Sequence, residues 1–193
     1  MGRAEGREGA AVALVMSTSC IFAFGGRSKS GKTTLGRRLA LELGVRFASF
    51  GDFVRKEALR RGFTNVSSSE LQDVGLSLVT ADLSGFCESV LADAGFVSGE
   101  GLIIDGVRHL ETIRELKRLT AGQPFKFVYL ESSLAARHER GPQSVHELEN
   151  LDSHPVEVET AAVKNIADLV LDTALLTAAD CHDRLRVWAE SCK

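Results

Sequence analysis

Eight residues carry the clearest chemistry in the chain: Gly26, Arg27, Ser28, Lys29, Ser30, Gly31, Lys32 and Thr33. Their spacing is Gly-x-x-x-x-Gly-Lys-Thr, and Thr34 follows directly. Glycines let a backbone curl so that successive N–H groups aim at one anion. A helix starting at that point adds the positive end of its dipole. Lys32 then sets an ammonium against the outer phosphates, and the Thr33 hydroxyl is placed to ligate Mg²⁺. The chemistry this predicts is the cradling of a magnesium nucleoside triphosphate by residues 26–34.

A second group belongs with the first. Asp105 closes the apolar run Leu102-Ile103-Ile104. A carboxylate tipping a strand beside the phosphate loop is where a second contact to Mg²⁺ is wanted, so Thr33 and Asp105 are the expected metal residues. A GTP switch would carry Asn/Thr-Lys-x-Asp, and Lys164-Asn165-Ile166-Ala167-Asp168 has those letters in another order.

These groups need elements to hold them. The chain of 193 residues is 44% hydrophobic and 25% charged, enough for one packed domain. Its net charge is −3 with no dense basic block, which argues against nucleic acid as a main partner. The four cysteines show no metal-ligand or redox spacing, and the longest early apolar run, Ala10 to Met16 with its neighbours, is too short to cross a bilayer. A cytoplasmic protein without a membrane partner is expected. Residues 1–18 read as a loosely ordered extension, with Met16 an alternative start, and 19–193 as a single domain.

Short apolar runs alternate with longer amphipathic stretches, the pattern of βαβ units and a mostly parallel sheet. Strands are expected at Cys20–Gly26, Val45–Phe50, Gly101–Asp105, Phe125–Glu131 and Ala167–Asp172. Lys32 to Leu43 reads as a helix ended by Gly44. Asp52 is placed to cap a helix from Phe53 to Arg61. Ser67 and Glu70 have capping-box spacing and open a long helical region to about Ala94, bent or divided at Gly75 and Gly85. Residues 141–155 are a polar interruption, as suited to a surface loop as to a flap. His154 reads as part of a helix start, and Thr177 caps a last helix.

The chain resembles the nucleoside monophosphate kinase group of P-loop phosphotransferases, which includes adenylate, cytidylate and dephospho-coenzyme A kinases. Ser49 to Gly62 is similar to the acceptor-binding element of adenylate kinases, a Ser/Thr-Gly-Asp followed by an Arg-bearing helix. Asp105-Gly106-Val107-Arg108 is similar to their Asp-Gly-x-x-Arg element, one residue tighter. Ala135 to Arg140 resembles the Arg-bearing helix that enters the lid. The likeness runs from about Ile21 to Asp172.

It implies a three-layer α/β/α sandwich around a five-stranded, mostly parallel sheet of order 2-3-1-4-5. It also implies an acceptor-binding region at about 51–96 and a short lid at about 141–155. Arg55 would clamp the acceptor's phosphate, Arg108 belongs to the second acceptor element, and Arg137 and Arg140 would neutralise the transferring group, since planar guanidinium groups bind phosphate oxygens two at a time. Asp52 is the candidate to orient the attacking oxygen. The implied function is transfer of the γ-phosphoryl of Mg-ATP to a small, phosphate-bearing, nucleotide-like acceptor. The alternative is a nucleotide-binding regulator, or an ATPase, with little kinase turnover.

Overall fold

Five strands lie side by side in the order β2-β3-β1-β4-β5. They are β1 (Ile21–Gly25), β2 (Arg46–Ser49), β3 (Leu102–Val107), β4 (Phe125–Glu131) and β5 (Leu169–Asp172). Every pairing is parallel. The computed structural model describes residues 18–192, so the expected extension and the alternative start at Met16 lie outside the described residues apart from Thr18.

Parallel strands are buried on both faces, and the side-chain alternation shows two cores. Ile21, Ala23, Ile104, Phe127 and Tyr129 face one layer, packed against α2 (Phe50–Arg60), α3 (Ser68–Ala81), α4 (Leu83–Asp93) and α5 (Leu110–Leu119). Phe22, Phe24, Ile103, Val128 and Leu130 face the other, against α1 (Lys32–Leu43) and α9 (Ala178–Glu190). The chain therefore forms the expected three layers with the expected strand order. Between β4 and β5 run α6 (Leu134–Glu139), α7 (Val145–Ser153), α8 (Pro155–Ala162) and a 3-10 turn, Val163–Ile166.

Register brings the strand ends to one level. Phe24 on β1 and Ser49 on β2 both pair with Asp105 on β3, and Gly25 pairs with Tyr129 on β4. Whatever follows these residues opens into one crevice, as the ends of an open parallel sheet do.

Local chemistry shifts three boundaries from their expected places. Ser49 caps α2, its hydroxyl accepting from the Asp52 N–H, so Asp52 lies inside the first turn and is not the cap. The long helical region divides at Asp82, which ends α3 and caps α4 through Gly85, while Gly75 sits within α3. The polar interruption contains a helix: Ser144 and Glu147 form a capping box that starts α7. His154 itself then caps α8, with Pro155 in the first turn.

Candidate functional site

The loop between β1 and α1 has the geometry of an anion cradle. Gly26 takes φ +137° and a Cβ there would run into the Leu130 carbonyl, so the position admits only glycine. Lys29 is left-handed at φ 63°, the only described non-glycine residue with positive φ. Gly31 (φ 92°) leads into α1 with no side-chain cap. The uncapped helix start leaves N–H groups free for a ligand. Ser30 is buried; its carbonyl accepts from the Thr173 hydroxyl at 3.0 Å, and its own Oγ has no partner.

Lys32 is buried, and its Nζ donates to the Arg27 carbonyl at 3.1 Å. Burial lowers its pKa from the ordinary lysine value, and the nearby Arg108 guanidinium lowers it further. Thr33 Oγ1 donates to Asp105 Oδ2 at 2.6 Å. Asp105 is buried, and its Oδ1 has no hydrogen-bond partner. Burial raises its pKa, and the Lys32 ammonium and the Thr33 hydroxyl partly oppose that. A buried carboxylate oxygen without a donor is costly. The two hard oxygen groups and the anion cradle fit a magnesium triphosphate, with Thr33 and Asp105 available to the metal or its water.

The loop lies between two cavities that share Lys29, Lys32 and Thr33. One, of about 240 Å³, also has Gly31, Thr34 and Arg140 in its wall. The other, of about 420 Å³, contains Ser28, Asp52, Arg55, Gln72, Asp105 and Arg108. Its remaining wall is largely apolar, with Phe50, Val54, Leu71, Val79 and Phe86 from α2, α3 and α4.

The four expected arginines meet different fates. Arg55 stands at the rim with 61% of its side chain exposed, donating to Asp52 Oδ1 at 2.9 Å. Asp52 also accepts from Arg37 at 2.7 Å. Arg108 reaches into the larger cavity and pairs with Glu157. Arg137 is 1% exposed and binds Asp152 through both terminal nitrogens, at 2.8 and 2.5 Å. Arg27 of the loop shares that carboxylate at 2.6 Å. Arg140 is held by the carbonyls of Lys29 and Thr173 and the hydroxyls of Ser132 and Thr173.

Asp152 and Glu157 were not among the expected site residues. Both lie in or beside the segment 141–155. That segment reads as polar, yet Leu148 is fully buried and anchors α7. The available signal was the apolar spacing of Leu148 and Leu151 on α7, with Val156 in the first turn of α8.

A strand, a glycine-rich phosphate loop opening a helix, and a second strand-borne carboxylate define a P-loop protein with a kinase-like three-layer fold. A family model described as an AAA domain matches residues 26–151, and the chain belongs to that family. UPF0200 proteins of Methanosarcina barkeri and Pyrobaculum aerophilum are 30% and 31% identical over 127 and 122 residues, 62% of this chain in each case. The matched region spans 63% of the length of each of these curated relatives.

Among solved structures, shikimate kinase from Bacteroides thetaiotaomicron superposes with a TM-score of 0.56 at 16% identity, covering 89% of this chain and 98% of that one. Shikimate kinase from Acinetobacter baumannii in complex with shikimate gives 0.53 at 20% identity, covering 92% and 96%. At these identities the likeness is one of fold.

Proposed function

We propose that the protein is a small-molecule kinase that moves the γ-phosphoryl group of Mg-ATP to a phosphate-bearing, nucleotide-like acceptor. The observation that carries this is the pair of cavities meeting at Lys29, Lys32 and Thr33. A sensor needs one nucleotide site; a phosphotransferase needs a donor and an acceptor on either side of the transferred group.

In this reading residues 26–34 hold the triphosphate in the smaller cavity. Thr33 and Asp105 would hold Mg²⁺, which when bound would offset the charge of the phosphates. Lys32 stabilises the charge on the transferring group. Arg55 and Arg108 orient the acceptor in the larger cavity, and Asp52 lies beside Arg55 to align the attacking oxygen. Arg140 borders the donor side. Arg137 reaches the site indirectly, through the Ser28 carbonyl at 3.4 Å and the carboxylate it shares with Arg27. We take 19–193 as one domain, with an acceptor region at 51–96 and a lid at 141–155 whose Gln143 and Leu151 line the acceptor cavity.

Among the described residues no single helix is long and apolar enough to cross a membrane, and all four cysteines are free. The free thiols agree with a cytoplasmic enzyme. A nucleotide-binding regulator is the second reading. It is favoured by the internal pairing of Arg137, which leaves both its terminal nitrogens engaged.

A coupled ADP-release assay separates the two. Mg-ATP is supplied with a panel of nucleoside monophosphates, deoxynucleotides, dephospho-coenzyme A and shikimate, and Lys32→Ala is the inactive control. ADP formation that rises with one nucleotide supports the kinase. ATP binding without acceptor-dependent ADP would transfer the case to the regulator.

A further inference from the structure

Glu157 is 0% exposed, on a helix whose inward face is otherwise Val156 and Thr160. A fully buried carboxylate is unfavourable unless donors surround it. Here the donors come from three separate elements and all reach one oxygen, Oε1, while Oε2 has no partner. Arg108, two residues beyond Gly106 at the end of β3, donates Nη1 to Oε1. Ser28 of the phosphate loop donates its hydroxyl to the same oxygen at 2.9 Å. Gln72 of α3 donates Nε2 to it at 3.3 Å. Ser28 also accepts weakly from Arg108 Nη2 at 3.4 Å.

All three donors line the larger cavity, while Glu157 stands behind that wall. Ser28 belongs to the nucleotide cradle, Arg108 to the floor, and Gln72 to the helix that frames the apolar half. One oxygen therefore ties together the donor side, the centre and the acceptor side. The neighbouring Glu159 takes no part, since it turns away to His109 at 2.5 Å.

We infer that Glu157 is a positioning residue that holds Arg108 on the acceptor, with Ser28 and Gln72 as its other anchors. Guanidinium groups have many rotamers, and an unpaired Arg108 would have to be ordered anew at each binding event. A buried carboxylate fixes the planar group beforehand and leaves its outer edge for the acceptor's phosphate. Glu157 touches neither substrate in this scheme.

The kinetic part of the test rests on the kinase reading, while the spectroscopic part does not. In nuclear magnetic resonance, the Arg108 guanidinium is assigned by its loss in Arg108→Lys. Wild type should show separate, slowly rotating Nη signals for Arg108 near neutral pH. Glu157→Gln should lose them while its backbone amide spectrum stays dispersed. Persistence of those signals in the folded Glu157→Gln protein would overturn the inference, whatever the enzyme turns over.

With the best acceptor from the ADP-release panel, Glu157→Gln should lower acceptor kcat/KM by about 10- to 100-fold, the scale of a hydrogen bond to a charged group. The KM for ATP should move by less than about threefold, because only Ser28 links Glu157 to the cradle. Adding Glu157→Gln to Arg108→Ala should cost almost nothing further. Full additivity of the two losses would mean that Glu157 does not act through Arg108.

If Glu157→Gln fails to fold, Arg108→Gln combined with Glu157→Gln removes both charges and should fold. A double variant that also fails would make Glu157 purely structural and end the proposal.

Discussion

Arg137 and Arg55 show how differently one residue type is used on two sides of the same crevice. Arg137, on α6, is shut away from water and grips Asp152 with two nitrogens. Arg55, on α2, is mostly solvated and meets an Asp52 that is itself 42% exposed. Both sit near the ends of parallel strands. The α6–α8 side is built of ion pairs on largely buried carboxylates that brace the phosphate loop: partly exposed Arg27 and fully buried Arg137 on Asp152, and partly exposed Arg108 on Glu157. The rim of α2 is built of exposed pairs that can exchange partners when a ligand arrives. Burial therefore separates Arg137, which builds the site, from Arg55, which is free to bind, while Arg108 lies between: its partner Glu157 is buried and it lines the larger cavity.

The sharpest way to break this contrast is to remove a buried partner. Arg137→Ala strands Asp152 with only Arg27, and a broken buried pair costs about 3–5 kcal/mol. Urea denaturation should show that loss, and Asp152→Asn added to Arg137→Met should recover much of it. A change under about 1 kcal/mol would mean that the pair is not desolvated.

At the rim the expected effects are smaller in stability and larger in binding. Arg55→Ala should leave the unfolding free energy in urea within about 0.5 kcal/mol, since exposed pairs contribute little. It should raise the acceptor KM about tenfold or more, with the KM for ATP nearly unchanged. Equal effects on both KM values would remove Arg55 from the acceptor side.

Asp105 tests the cost of keeping a buried carboxylate only half satisfied. Its Oδ2 has Thr33, but its Oδ1 has no partner, and burial raises its pKa. Asp105→Asn should stabilise the free protein by about 1 kcal/mol, or a few degrees in Tm, while weakening Mg-ATP binding. Loss of stability on that substitution would show that the charge is needed for folding rather than for the ligand.

The smallest effect belongs to the far surface. Arg114 pairs with Glu111 one turn away on α5, with both side chains more than half exposed. Arg114→Ala should cost about 0.3 kcal/mol and leave both KM values alone.

Much of this molecule was legible because its signals are local. Gly26, Gly31, Lys32 and Thr33 announce the cradle within eight residues, and apolar runs announce the strands. The sheet order followed from the resemblance that those motifs carried. Asp105 was expected at a strand tip, whereas β3 runs on to Val107; its contact with Thr33 follows from the pairing of β1 with β3.

What stayed hidden depends on distant or competing partners. Asp152 lies 15 residues from Arg137, and Glu157 lies 49 from Arg108, so no local pattern joins them. Glu157 and Glu159 look alike in sequence, and only the packing of α8 sends one inward. Two misplaced boundaries were ordinary capping competitions. Ser49 took the α2 cap that Asp52 could have filled, and the Ser144–Glu147 capping box was present but unread within a polar stretch.

The central claim is that the loop and the Thr33–Asp105 pair take up a magnesium triphosphate. Isothermal titration calorimetry with ATP, with and without magnesium, tests it most directly. The expected result is saturable 1:1 binding that weakens strongly when the metal is chelated and disappears in Lys32→Ala. Uptake that is indifferent to both magnesium and Lys32, or no uptake by the folded wild type, would contradict the account.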